Sequence, residues 1–355
     1  MATARRILII GGGLAGSFMA ARLAAAGQEV ILADDADPAG ASRVAAGLYN
    51  VITGRFAALT WQARRLLEEL QACLAQPPFD AVQQYLYPGP IYRPFPDTVS
   101  YNKWTARTAD PVYEGLVQLE ETPIAPELIH NPVGGITILP CGWADIHALV
   151  TRVIQTAATR YGLTVLRETL GADQLDISRR VALTSQGECR FDALVLTEGY
   201  RGAAQPLLHG WPLIPNKGEL LVVQPLEPVD LPCTLSGPVY VVPQPDGSWV
   251  VGATYENHFT DAHPSAAARA ELLAGLGDLV RVPVSVRAHR AGIRPTTRDR
   301  RPICGVHPAY PFVYILTGLG TKGLLQTPYL SRLLTSQLLG EAVTIPREVS
   351  PERFR

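Results

Sequence analysis

Ile7-Leu-Ile-Ile-Gly-Gly-Gly-Leu-Ala-Gly16, running on to Val30-Ile-Leu-Ala-Asp34, reads as strand, glycine turn, helix and second strand. In Gly11-x-Gly13-x-x-Gly16, the first glycine makes the tight turn and the second lets the backbone approach a pyrophosphate. The third lets the helix lie against the strand. The amides of Leu14 and Ala15 open that helix, and a helix start carries about half a positive charge, so phosphates need no lysine there. Asp34, about 20 residues past the turn, is placed to take both hydroxyls of an adenine ribose, with Asp35 beside it. The pattern predicts a dinucleotide site, against the plainer reading of a close-packed turn without a ligand. The glycines alone fit NAD or FAD.

At 355 residues the chain has room for two domains, or one with a large insertion. Lys+Arg 31 against Asp+Glu 32 leaves a net charge of −1, which argues against a nucleic-acid partner or an anionic membrane surface. An arginine cluster (Arg287, Arg290, Arg294, Arg298, Arg300, Arg301) reads mostly as a solvated face. The cysteines at 73, 141, 189, 233 and 304 form no CxxC and read as reduced thiols of a cytoplasmic protein. Arg5-Arg6 before an apolar run imitates a leader, but that run is the dinucleotide strand itself. No apolar stretch approaches the roughly 20 residues of a membrane span. Assembly with like chains stays open.

Helical periodicity is expected over 53–75, with Phe56, Leu59, Ala63, Leu66, Leu67, Leu70 and Leu74 on one face and Pro77-Pro78 as the stop. Residues 76–132 are proline-rich and read as a loop-rich insertion, apart from a short strand at 90–94. Asp145 caps a helix that Gly162 ends, and strands follow at 164–166 and 191–197. From 213 to 294 the pattern is antiparallel. It comprises a strand at 218–223, a hairpin (239–244 and 248–254) over Pro245-Asp246-Gly247, a helix at 265–276 closed by Gly277, and a strand at 284–293. A strand at 312–317 then enters Gly318-Leu-Gly320-Thr321-Lys322-Gly323-Leu324 and a long helix. The expected fold is mixed α/β. A Rossmann-like FAD-binding domain (1–80, 136–210 and 290–350) would carry an inserted antiparallel-sheet substrate domain (81–135 and 211–289). That layout suits a flavoprotein better than an NAD dehydrogenase.

Six blocks make this specific: Ser42-Arg43-Val-Ala45-Ala46-Gly47-Leu48, Asn216-Lys-Gly-Glu219, Val239-Tyr240-Val-Val-Pro243, Val251-Gly-Ala-Thr254, Gly292-Ile-Arg294-Pro295 with Pro302-Ile-Cys-Gly305, and Gly320-Thr-Lys-Gly-Leu-Leu325. In this order they resemble the FAD-dependent D-amino-acid oxidase/glycine oxidase family over nearly the whole chain, most poorly at 76–135. The resemblance implies that Ser42 and the Ala45–Gly47 backbone offer donors to the pyrophosphate and ribityl chain. Thr197-Glu198-Gly199 would lie against the pyrophosphate and ribose, with Glu198 departing from the small residue usual there. The turn from Gly318 to Leu324 would aim amides at the flavin N1–C2=O edge, where reduced flavin is negative. Lys322 either adds charge there or faces solvent. Gly292 stands near where some members carry a cysteine that attaches FAD, so noncovalent FAD is implied.

On the substrate side, Arg294 matches the family arginine that forks onto a substrate carboxylate; a structural salt bridge is the alternative. Tyr240 matches the tyrosine facing the flavin, which would hold the second carboxylate oxygen or the amine, against a plain core tyrosine. Tyr49, Tyr92, Arg93 and His258 are open between pocket and packing roles. No metal-ligand cluster and no Ser-His-Asp order stands out. The resemblance implies oxidation of an amino acid or secondary amine by hydride transfer to flavin N5, imine hydrolysis, and reoxidation by O2 to hydrogen peroxide. Strand 248–254 lacks the oxygen-activating lysine of the sarcosine oxidase branch, which favours the amino-acid oxidase branch. The competing readings are a dehydrogenase passing electrons to a quinone or carrier protein, a tRNA-modification flavin oxidase, and a non-enzymatic flavin carrier.

Overall fold

The computed structural model describes residues 4–53 and 58–354. Its first sheet has six strands in the order Thr164–Leu166, Glu29–Ala33, Arg6–Ile10, Ala193–Leu196, Tyr310–Thr317, Ile303–His307. The pairs from Thr164–Leu166 through to Tyr310–Thr317 are parallel, and Ile303–His307 closes the edge antiparallel. Arg6–Ile10 and Ala193–Leu196 are apolar runs rather than alternating ones because both faces of this parallel sheet are covered. Helices Leu14–Ala25, Ile146–Tyr161 and Gly323–Leu338 bury Phe18, Leu149 and Leu330 in one large core with Ile7, Ile9 and Val195.

The second sheet has eight strands, in the order Val284–Thr297, Leu213–Pro225, Trp249–Gly252, Tyr240–Pro243, Thr234–Ser236, Ile91–Pro94, Gly135–Ile138, Val117–Glu120. One of its faces packs Leu221, Val241 and Trp249 under helix Ala266–Leu279, which contributes Leu272 and Leu276. The hairpin turns at Gly247 (φ +79°), as Pro245-Asp246-Gly247 demands. Asp145 and Ser265 cap their helices by accepting from the amides of Ala148 and Ala268.

Three expectations change. The helix expected over 53–75 occupies Ala63–Leu74; Ile52–Thr53 and Ala58–Leu59 pair as strands, and Phe56 lies outside the described residues. Segment 76–132 is built more than its prolines suggest. It supplies three strands and a helix, Thr98–Thr108, whose Asp97 cap accepts from the Ser100 amide. Gly277 does not end its helix, which continues to Leu279, because Leu276 and Leu279 are buried against the sheet and hold the last turn. Among the described residues no helix is long and apolar enough to cross a membrane.

Candidate active site

A cavity of about 1450 Å³ runs from the first glycine turn to the antiparallel sheet. Drug-sized ligands occupy pockets of about 300–1,000 Å³, so this one has room for a dinucleotide and a second molecule. Gly11, Gly13, Leu14 and Ala15 line one end, and Gly16 lies behind it. A Cβ on Gly16 would collide with the Gly11 carbonyl oxygen and the Thr197 hydroxyl, so Gly16 is what lets helix and strand touch. Gly11 sits at φ +96°, where any Cβ would strike the Thr197 backbone.

The acid ending the second strand closes this turn. Asp34 accepts from the Gly12 amide (2.9 Å) and pairs with Arg43 (3.2 Å), while Ser42 accepts from the Leu14 amide (3.0 Å). Asp35 is engaged elsewhere, by the Thr169 hydroxyl and Arg201, both at 2.7 Å. Arg201 also reaches Asp37 (3.0 Å), tying the loop after the second strand to residues 199–204.

Ala45, Ala46, Gly47 and Leu48 line the middle of the cavity. Gly47, at φ +73°, has its α-carbon against the Ala144 carbonyl, a contact no Cβ permits. Thr197, Glu198 and Gly199 line the wall opposite. The Glu198 carboxylate is held by the Gln205 amide, and burial pushes it up to about 7. From the second turn, Gly320, Thr321, Lys322, Gly323 and Leu324 face the cavity; Gly318 does not, but makes the turn at φ +72°. Burial, and then Arg300, lowers the Lys322 pKa. These glycine cradles and the helix start fit a pyrophosphate and a ring system passing close over main chain.

Arg294 stands where the loop after the second strand and the second glycine turn both meet its strand. Ile293 donates to Ala39 O and Gly320 donates to Pro295 O, each at 2.8 Å, and Gly292 packs on Val44. The guanidinium donates to Asn216 Oδ1 (2.8 Å) and the Thr254 carbonyl (3.1 Å), and lies 4.5 Å from the Tyr255 ring centroid. No carboxylate of the described residues pairs with it, so no salt bridge accounts for its place. Tyr240 lines the same cavity over Gly252, whose missing Cβ leaves room for the phenol. Burial pushes that phenol up to about 12, with Arg294 opposing.

Of the residues left open, Tyr49 and Arg93 line the cavity. Tyr92 is core, its hydroxyl accepting from Asn131, and His258 is exposed and does not line the cavity. Sequence reasoning missed Asn216 as the partner of Arg294, Tyr255, and the helix that brings Ser100, Lys103, Trp104 and Arg107 to the cavity. The Asp97-x-x-Ser100 cap was the available signal for that helix.

Fold and site together define a flavin-binding oxidoreductase. The sequence profile of the family DAO, FAD dependent oxidoreductase, matches residues 6–337, and the chain belongs to that family. It is 31% identical over 207 residues to the tRNA 5-methylaminomethyl-2-thiouridine biosynthesis bifunctional protein MnmC of Burkholderia cenocepacia, covering 49% of this chain and 32% of that protein. It is 30% identical over 178 residues to the glycine oxidase of Pseudomonas aeruginosa, covering 47% of this chain and 48% of that one. The matches thus span half or less of these curated relatives. The crystal structure of iminodiacetate oxidase from Chelativorans sp. BNC1 superposes with a TM-score of 0.78 at 24% identity, covering 98% and 99% of the two chains.

Proposed function

We propose that this FAD-dependent oxidoreductase oxidises an amino acid or secondary amine that carries a carboxylate, with FAD held noncovalently and O2 as electron acceptor. The observation that carries the reading is Arg294, an acid-free guanidinium fixed in a cavity that also contains the dinucleotide cradle. On this reading the six-stranded sheet is the FAD-binding unit and the eight-stranded sheet the substrate side. FAD, when bound, would take the hydride leaving the substrate α-carbon, and with it both electrons of the oxidation. Arg294 takes the substrate carboxylate in two charge-assisted bonds, and the Tyr240 hydroxyl, kept protonated by its burial, donates to the carboxylate or accepts from the amine. The cavity walls exclude water and, with Arg294 and Tyr240, fix the α-hydrogen toward the place of flavin N5, so orientation and not a protein base carries the rate. The resulting imine is hydrolysed by water to a carbonyl compound and an amine.

Stopped-flow mixing with glycine, sarcosine, proline and D-amino acids tests this: at least one must bleach the flavin, and air must restore it quickly. Flavin that stays reduced in air for minutes would point instead to a dehydrogenase. A second reading, oxidation of a modified tRNA base, is favoured by the 31% identity to the tRNA-modification protein. A net charge of −1 weighs against it.

A further inference from the structure

The substrate end of the cavity holds cations that a simple amino acid does not use. Leu235 pairs with Tyr92 on one side and Val241 on the other. One residue on, Ser236 therefore lies between Arg93 and Tyr240, and all three line the cavity while Tyr92, Leu235 and Val241 are buried in the core behind. Two inter-strand steps of ~4.8 Å put the α-carbons of Arg93 and Tyr240 about 10 Å apart. Helix Thr98–Thr108 brings Lys103 and Arg107 to the same cavity, with Arg107 5.1 Å from the Trp104 ring centroid. Burial, and repulsion from Arg107, lower the Arg93 pKa. No carboxylate of the described residues pairs with Arg93. Glu271 and Asp278 line the cavity from helix Ala266–Leu279, and the other acids that line it belong to the dinucleotide end. A half-buried guanidinium beside like charge is costly until an anion reaches it.

We infer that Arg93, with Lys103 and Arg107, forms a second anion subsite, so that the amine oxidised carries a second anionic group, carboxylate or phosphate, several bonds beyond the one held by Arg294. This rests on the proposed function for its first anchor, Arg294. The substrate lies from the Arg294 guanidinium, which sits over Gly218, past Tyr240 and Ser236 to Arg93, with its amine near Tyr240 and its distal anion under the Thr98–Thr108 helix. Glycine or sarcosine would leave the subsite unfilled.

Calorimetric titration of the FAD-loaded protein tests the subsite without turnover. The probes are glutarate, adipate and suberate, the monocarboxylates of matching length, and the corresponding ω-phosphono acids. At least one two-anion ligand should bind about tenfold tighter than its one-anion partner. Arg93→Gln should remove that advantage and leave one-anion binding unchanged. A larger gain for the phosphono acid assigns the subsite to phosphate, and a larger gain for the diacid to carboxylate. Equal affinity for one-anion and two-anion ligands in the unmodified protein would overturn the inference, as would an advantage that survives Arg93→Gln. If that variant fails to load FAD, Lys103→Gln stands in, and an undiminished advantage there counts against the subsite. A protein that binds two-anion ligands in this pattern, yet is reduced by no amine, would overturn the proposed function and leave the subsite standing.

Discussion

Arg294 Nη1 donates to Asn216 Oδ1 at 2.8 Å, between residues that face each other in register on adjacent strands. Asn216 is itself braced, its amide donating to Asn257 Oδ1 at 2.8 Å. The guanidinium is therefore set before substrate arrives. Arg294→Ala should cost about 1.5–3 kcal/mol, roughly ten- to a hundredfold in kcat/KM for a carboxylated amine. Asn216→Ala should raise KM less, with FAD retained. Steady-state kinetics on both variants checks this.

Gly218 gives an independent handle on the same group. A Cβ there would collide with the Arg294 guanidinium. Gly218→Ala should displace the side chain and raise KM for carboxylated amines nearly as far as Arg294→Ala, while the flavin spectrum stays unchanged. A wild-type KM in this variant would place the guanidinium elsewhere.

Glu198 should make stability depend on pH. Burial raises its carboxyl from the ordinary 4.5 to about 7. Below the ordinary value both folded and unfolded chains are protonated. Between the two values the unfolded chain ionises while the folded one keeps its proton, so stability falls as pH rises and levels off above about 7. In the FAD-free protein, Glu198→Gln should flatten this fall and melt higher than the unmodified chain at pH ~8. Thermal melts across the window measure it.

Behind the sheet, Glu219 is 1% exposed. It accepts from Lys217 at 3.1 Å and from the Ser265 amide at 2.8 Å, with His289 Nε2 also at 2.8 Å. This carboxylate joins the strand carrying Asn216 and Gly218 to the start of helix Ala266–Leu279. Glu219→Ala leaves a buried ammonium unpaired and should cost about 3–5 kcal/mol. Chemical denaturation reads the loss.

The dinucleotide end was legible because strand, glycines and acid are contiguous in sequence, and each glycine answers a local steric demand. Gly11, Gly16 and Gly47 all meet backbone or side-chain atoms that a Cβ would strike. The substrate end was less legible because it is assembled across strands far apart in sequence. Nothing local to Asn216 announces Arg294, 78 residues away. Prolines at 90, 94, 96 and 111 masked the Thr98–Thr108 helix between them, since they punctuate the connections on either side of an element that Asp97 starts normally. The helix expected from 53 begins only at Ala63, because Ile52–Thr53 pair with Ala58–Leu59, which periodicity alone does not reveal.

A substrate carboxylate held by Arg294 while the neighbouring α-carbon gives up a hydride is the central relationship proposed for this site. Anaerobic mixing of the FAD-loaded protein with a panel of carboxylated amines, followed by flavin absorbance, tests this most directly. At least one member of the panel should bleach the flavin band in the unmodified protein, and the same amine should reduce Arg294→Ala at least about tenfold more slowly at subsaturating concentration. A flavin that every such amine leaves oxidised, or that Arg294→Ala reduces at the unmodified rate, would contradict it.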